Sequence, residues 1–296
     1  MSKLAGLLFH PRLPEAQMLA DKLAQRLESS GYRTWQVSAW AEEDVKHLMP
    51  GTAAVICIGG DGTILRAARA IIPAPVPILG IRFGRLGFLA EISPEDALAR
   101  VSDMLDDPGL LEERAMLKAT CALTEVPPAL AERHHPLMNG DPSFHALNDV
   151  VIARGAAGRP IYVEVTIDQQ PCITYRTDAV VVSTATGSTG YTLSAGGPIL
   201  HPHSSSFLLC PVAAHATLPN AFLLEPHSTV QLRVHSDHGA AMSIDGQVDI
   251  PLTDGDTVTV GLSPYKARFI RAHRKDAFYS SLLQRLRFGD GSPDHA

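Results

Sequence analysis

Cysteine is scarce and scattered. The 296-residue chain has four, Cys57, Cys121, Cys172 and Cys210, with no C-x-x-C pair. Neither a disulfide framework nor a cysteine zinc site is expected, and isolated cysteines inside apolar runs read as small core residues. The thirteen histidines form no H-E-x-x-H, and His134-His135 falls in a proline-rich stretch, so no metal site built from protein ligands alone is assigned. Long apolar runs are missing too. Stretches such as Ala179 to Val182 fall far short of the ~20 residues that span a bilayer. Met1-Ser2-Lys3-Leu4 lacks the apolar stretch of a secretory signal, so a cytoplasmic location without membrane contact is expected. There is no basic excess: 25 Lys and Arg face 31 Asp and Glu, for a net charge of −6, which speaks against sequence-independent nucleic-acid binding. No G-x-x-x-x-G-K-[ST] loop occurs.

What remains is the composition of a globular protein, 45% hydrophobic and 19% charged. The length is about twice a one-domain ~150, so one or two domains are expected. The first part alternates strand-like and helix-like segments. Leu4 to Phe9, Ala53 to Ile58 and Pro77 to Gly80 read as buried strands. Pro14-Glu15 opens a helix with Leu19, Leu23 and Leu27 in one line and Gly31 as its stop. Ile64 to Ile72 reads as a second helix. Ser93-Pro94-Glu95-Asp96 opens another, with Ser93 as cap. This alternation predicts an α/β N-terminal domain over residues 1–115, with a parallel sheet covered by helices. From 116 to 270 the pattern becomes a series of strands, at Lys118 to Leu123, His145 to Ala153, Ile161 to Ile167, Ala179 to Thr184, Phe207 to Val212, Thr229 to Val234 and Thr257 to Leu262. A β-rich, sandwich-like C-terminal domain is expected there, with an irregular loop over Glu125 to Pro142. A last helix over Arg274 to Phe288 is expected to pack back on the first domain, with Gly289 to Ala296 frayed.

Four segments could carry chemistry. Gly59-Gly60-Asp61-Gly62-Thr63 lies between a strand and a helix, where glycines permit close backbone approach and the helix N-terminus suits phosphate. A plain phosphate cradle has no use for a carboxylate. A site that binds Mg²⁺-phosphate and deprotonates a hydroxyl does. The alternative is a glycine turn in which Asp61 merely caps the helix. The run Thr184 to Pro198 is dense in hydroxyls and glycines and suits a ligand rich in ribose and phosphate; a flexible loop is the bland alternative. Leu147-Asn148-Asp149-Val150 places an amide suited to an adenine edge beside a carboxylate suited to a ribose diol, although Asn-Asp also marks turns. Asp245-Gly246-Gln247 in isolation reads as a hairpin turn.

In this order, the pieces resemble the NAD kinase family over nearly the whole chain. Gly59 to Thr63 is similar to its GGDGT motif, Gly84-Arg85-Leu86-Gly87-Phe88-Leu89 to GRLGFL, and Leu147 to Val150 to LNEV. Ser183 to Pro198 resembles STPTGSTAYSLSAGGP, and Ser243 to Gln247 resembles SIDGQ. GGDGT is shared with diacylglycerol, sphingosine and, distantly, phosphofructo-kinases; the hydroxyl-rich signature is the specific element. The resemblance implies the diacylglycerol/NAD kinase-like two-domain architecture, with NAD between the domains. It also implies transfer of a phosphoryl group from ATP or polyphosphate to the adenosine ribose 2′-hydroxyl, and Mg²⁺ or another divalent metal ion is expected as cofactor.

By the same match, Asp61 would be the base or the group that orients the hydroxyl, within the phosphate loop Gly59, Gly60 and Thr63, with Gly62 against the NAD. Asn148 and Asp149 would hold adenosine, and Thr189, Tyr191 and Ser194 would line the adenine and ribose region. Arg176 would lie near the phosphates. Asp178 would reach the nicotinamide end across a subunit boundary, which implies a homodimer or homotetramer. The chain departs from the family pattern at Arg82 for Asn, Asp149 for Glu, Thr177-Asp178-Ala179 for Gly-Asp-Gly, and Ala185 and Gly190 for Pro and Ala. Two other readings remain: a lipid or sugar kinase sharing the glycine motif, and a non-catalytic NAD-binding sensor, against which the intact Asp61 argues.

Overall fold

A computed structural model of the chain describes residues 2–84, 87–107, 109–124, 143–156, 158–215, 219–271, 278, 279 and 282. The chain divides into two units, Met1–Glu113 with Ala267–Ala296, and Arg114–Lys266. Among the described residues no helix is long and apolar enough to cross a membrane.

In the first unit, β1 (Leu4–Phe9), α1 (Pro14–Ser29), β2 (Arg33–Ser38), α2 (Glu42–Leu48), β3 (Thr52–Gly59), α3 (Asp61–Ala70), β4 (Pro77–Arg82) and α4 (Pro94–Asp106) alternate. The strands lie in the order β2-β1-β3-β4, all parallel, and Arg268 and Phe269 add a further parallel strand beside Pro77 and Ile78. A parallel sheet is covered on both faces, which is why its central strands read as unbroken apolar runs. Ala5, Leu7, Ile56, Ile58, Leu79 and Ile81 point into one core with Leu19, Leu23 and Leu27 of α1 and Val101 and Met104 of α4. On the other face, a Cβ at Gly80 would meet Ile64 of α3 at 2.7 Å, so that glycine lets α3 lie close to the sheet. Ser93 caps α4 through the Asp96 N–H, and Pro94 fills its first turn, as the sequence indicates.

The second unit is a β-sandwich. Its strands are β5 (Leu110–Ala122), which begins in the first unit, β6 (Ser143–Ala146), β7 (Asp149–Arg154), β8 (Ile161–Ile167), β9 (Gln170–Thr177), β10 (Ala179–Ser183), β11 (Phe207–Val212), β12 (Phe222–Leu224), β13 (Val230–His235), β14 (Ala240–Ile244), β15 (Val248–Leu252) and β16 (Thr257–Arg271). One antiparallel sheet runs β12-β11-β10-β7-β14-β15, and β16, β13, β8 and β9 with β5 and β6 form the facing layer. Alternate residues from both layers, among them Leu117, Val150, Ile152, Val163, Val180, Phe207, Leu232, Met242 and Val258, fill one core.

Three expectations are corrected. His145 to Ala153 is not one strand: it breaks at Leu147-Asn148 into β6 and β7, which belong to different sheets, because the backbone N–H groups of residues 147–149 go to the Asp245 carboxylate. The strand expected at 257–262 continues to Arg271. Arg33–Ser38 and Gln170–Thr177, unassigned in the sequence, are the edge strands β2 and β9, partly exposed and without a clean apolar pattern. The loop expected over 125–142 and the frayed end over 289–296 lie outside the described residues. So does the helix expected over 274–288, apart from Phe278, Tyr279 and Leu282, which are helical.

Gly6 pairs with Trp35, and a Cβ at Gly6 would stand 2.2 Å from the indole ring. The ring cannot swing away freely, since its Nε1–H donates to Thr52 Oγ1 at 3.0 Å. Gly6→Ala is therefore expected to lower stability by about 1–3 kcal/mol, the usual cost of overpacking, measured by denaturant unfolding.

Candidate functional site

In an open α/β sheet, ligands gather at the carboxyl ends of the strands. In the first unit that edge carries Gly59 at the end of β3, Gly60 after it, His10 after β1 and Phe83 after β4. Phe83 N–H donates to Gly59 C=O at 3.1 Å, and His10 N–H donates to Ile58 C=O at 3.0 Å. A Cβ at Gly59 would lie 2.3 Å from Thr63 Oγ1 and 3.2 Å from His10 Cβ, so only glycine lets the turn close. Around Gly60 nothing stands within 4 Å of a would-be Cβ, which leaves its backbone open. Arg82 pairs with Gly59 across the sheet, bringing a cation next to the loop.

Asp61 is the first residue of α3, after an extended Gly60. Its carboxylate reaches across to the segment after β4, where Phe88 N–H donates to Oδ2 at 2.7 Å and Leu89 N–H donates to Oδ1 at 3.2 Å. This geometry answers the capping alternative: the carboxylate serves the 87–89 segment. A Cβ at Gly87 would sit 2.2 Å from Oδ1, so glycine at 87 allows that segment to close on Asp61. Arg85 and Leu86 of the same motif lie outside the described residues. Each carboxylate oxygen accepts one N–H, and lone pairs remain for a further partner.

In the second unit three motifs meet at one edge of the six-stranded sheet. β7 runs antiparallel between β10 and β14, placing Asp149 opposite Ser183 and Val150 opposite Ile244. Asn148-Asp149, Thr184 onward and Asp245 thus emerge side by side. Asp245, held at φ 51°, forms the turn between β14 and β15 as its sequence suggests. Its carboxylate also accepts Leu147 N–H at 3.1 Å, Asn148 N–H at 2.7 Å and Asp149 N–H at 3.2 Å. Thr184 joins the same edge, its N–H donating to Asn148 C=O at 2.9 Å and its hydroxyl to Leu147 C=O at 2.6 Å. A Cβ at Gly187 would meet Asn148 O at 2.2 Å, which fixes glycine at that approach.

The hydroxyls of the signature divide into two sets. Ser183, Thr184 and Ser188 are buried and donate to the carbonyls of Thr184, Leu147 and Ala185. Thr189 is half-buried and donates to Thr186 C=O, while Tyr191 and Ser194 are exposed at the one-turn helix Tyr191–Ser194. Arg176, near the end of β9, and Asp178, just before β10, lie elsewhere: Asp178 stands five positions from Ser183, about 17 Å at ~3.4 Å per strand residue. Asp178 is ion-paired with Arg154 at 3.0 Å.

Residues 6–108 match the ATP-NAD kinase N-terminal domain, and residues 147–272 match the ATP-NAD kinase C-terminal domain. The chain belongs to the NAD kinase family. It is 39% identical over 287 residues to an NAD kinase of Dehalococcoides mccartyi, covering 97% of each chain. It is 36% identical over 290 residues to that of Chloroflexus aurantiacus, covering 97% of this chain and 99% of the other. Two solved structures share the fold. Yeast NADH kinase complexed with NADH has a TM-score of 0.79 at 18% identity, covering 100% of this chain and 90% of its own. An Archaeoglobus fulgidus NAD kinase in complex with ATP has a TM-score of 0.73 at 22% identity, covering 96% and 98%. As in the family, an α/β N-terminal domain precedes a β-rich C-terminal one.

Sequence reasoning missed the roles of two residues. Arg114, buried, donates from Nη1 to Thr186 Oγ1 at 3.3 Å. Asp245 is legible in the sequence as a turn and as part of the SIDGQ-like segment, but not as the acceptor for residues 147–149, since those partners are almost a hundred residues away in sequence.

Asp149 is buried beside Asp245, and burial first, then that neighbouring charge, pushes its carboxyl up to about 7. The folded state thus keeps a proton that the unfolded chain, titrating near ~3.9, has already released. The resulting stability is present below about pH 4 and lost as pH rises to about 7, at up to ~1.4 kcal/mol per pH unit. Thermal melts from pH 4 to 8 are expected to show this slope in the unliganded protein and not in Asp149→Asn.

Proposed function

We propose that this protein phosphorylates NAD at the adenosine ribose 2′-hydroxyl, with ATP as donor, to give NADP, ADP and a proton. The observation that carries the reading is the Asp61 carboxylate, fixed by two amide N–H groups at the carboxyl edge of a parallel sheet, beside an open glycine turn. Phosphoryl transfer asks little covalent chemistry of the protein; it needs an aligned nucleophile and neutralised charge. Asp61 accepts the hydroxyl proton as the ribose oxygen bonds to the terminal phosphorus and ADP departs with the electrons of the broken P–O bond. The backbone of Gly59, Gly60 and Gly62, with Thr63 behind it, faces the transferred phosphate. ATP as donor is supported by the matched domain description and by the ATP-bound archaeal fold neighbour. Among the described residues no group of three or more His, Cys, Asp or Glu could hold a metal ion. Mg²⁺ commonly keeps several waters and takes one or two carboxylates together with substrate phosphates. Here the nucleotide phosphates and water would hold the ion, which would neutralise phosphate charge while Asp61 takes the proton.

On the second unit, Asn148 and Asp149 hold the adenosine, their backbone fixed by Asp245 and Thr184. Thr189, Tyr191 and Ser194 line the adenine and ribose region, and the exposed Tyr191 and Ser194 have the access that this requires. A sensor that only binds NAD gains nothing from a carboxylate beside the phosphates.

Purified protein with ATP, Mg²⁺ and NAD is expected to form NADP, and Asp61→Asn to lower kcat by ~10²–10⁴-fold with the KM for NAD little changed. Partial recovery of the variant at high Mg²⁺ would assign Asp61 to the metal instead. Phosphorylation of diacylglycerol or fructose 6-phosphate with none of NAD would overturn the reading.

Asp178 is assigned to the nicotinamide end of NAD bound by a neighbouring subunit, in a homodimer or homotetramer, which its position at the opposite end of β10 from Asp149 supports, and Arg176 is assigned to the NAD phosphates. Asp178→Ala is then expected to raise the KM for NAD about tenfold, or ~1–2 kcal/mol. A fully active monomer in light scattering would refute the shared site.

A further inference from the structure

Arg271, the last residue of β16, has a side chain only 9% exposed. Its Nε donates to Glu112 Oε2 at 2.6 Å, and its Nη1 donates to Glu91 Oε2 at 3.1 Å and to the backbone carbonyl of Leu89 at 2.8 Å. The guanidinium also lies 5.0 Å from the centre of the Phe269 ring. Glu91 and Glu112 are equally enclosed, at 11% and 8%. Stability explains such a cluster poorly, because desolvating buried ions offsets most of their attraction and apolar replacements often do as well. Its geometry points to a more specific task.

Leu89 is the residue whose own N–H holds Asp61 Oδ1, so a single residue separates the guanidinium from the proposed base. The far end of this segment is fastened to β4: Glu91 N–H donates to Gly80 C=O at 2.9 Å, and Arg82 N–H donates to Ile92 C=O at 2.9 Å. A Cβ at Gly80 would stand 2.9 Å from Ala90 Cα, so the backbones there are in tight contact. Nearer Asp61, the carbonyl of Leu89 is drawn to Arg271. We infer that Arg271 is a positioning residue for phosphoryl transfer: by anchoring Leu89 C=O it aims the N–H groups of Phe88 and Leu89 at Asp61, and so sets the direction from which that carboxylate meets the acceptor hydroxyl. The inference rests on the proposed role of Asp61.

Arginine is required because its planar fork serves the carbonyl and both carboxylates at fixed angles. A lysine ammonium keeps the charge on a flexible stem and loses that geometry. In the full-length protein, Arg271→Lys is expected to lower kcat about 10- to 100-fold while the KM values for NAD and ATP stay within about threefold. In an Asp61→Asn background the same change is expected to cost less than about threefold, since the group being aimed is gone. Hydrogen exchange of the Phe88 and Leu89 amides is expected to quicken in Arg271→Lys. Equal fold losses in both backgrounds, or an undiminished kcat in Arg271→Lys where Asp61→Asn loses it, would overturn the inference and leave the functional reading intact. Wild-type protein inactive on NAD would overturn both. If Arg271→Lys does not fold, Glu91→Gln, which loosens the same Nη1, gives the same comparison: loss with Asp61 present and none without it supports the inference, and any other pattern overturns it.

Discussion

A carboxylate that faces two or three backbone N–H groups is a charge-assisted contact about twice as strong as a neutral one, and it fixes a loop as firmly as a short ladder would. Each unit uses this contact at its candidate site. Asp245 gathers three successive amides from residues 147–149, and Asp61 gathers two from residues 88–89. Both loops carry irregular backbone that neither helix nor strand satisfies, and buried N–H groups without partners are costly. The carboxylates remove that cost and hold the backbone at the same time. The two differ in what is left over. Asp245 is buried with its oxygens committed to the backbone. Asp61 is half-buried at a glycine turn that is open on one side, so it retains capacity for a partner.

The glycines follow from the same demand for close approach. The sequence invites the view that Gly59, Gly60 and Gly62 exist to admit phosphate. Gly59 also admits Thr63 and His10, Gly87 admits Asp61, and Gly187 admits the carbonyl of Asn148. These positions satisfy the protein's own packing, and a side chain at any of them would push a site residue aside. Gly60 is different: its surroundings are open. A glycine-rich motif therefore mixes glycines needed for assembly with glycines needed for access, and a string of letters does not separate them.

The elements visible in the sequence are those with one dominant physical cause. β1, β3 and β4 are buried on both faces and read as apolar runs. α1 and α4 show a one-sided apolar stripe with proline at the start. Edge strands β2 and β9 have no such cause and were not visible. The break between β6 and β7 depends on Asp245, whose partners lie almost a hundred residues away, and no local pattern encodes it. Arg271 was invisible for the same reason: it looks like a strand-end cation until Glu91, Glu112 and Leu89 are brought around it.

The hydroxyl-rich run shows how one sequence signal can have a mixed origin. Its density was read as a surface for ribose and phosphate. Yet Ser183, Thr184 and Ser188 spend their hydroxyls on neighbouring carbonyls in the interior, where each satisfies a buried acceptor. Those bonds shape the path from β10 into the one-turn helix, and that path leaves Tyr191 and Ser194 at the surface. The inward hydroxyls are thus the cause of the loop's form and the outward ones its consequence. A surface built this way needs both sets of hydroxyls. Shortening the run to its exposed residues would remove the internal bonds that present them.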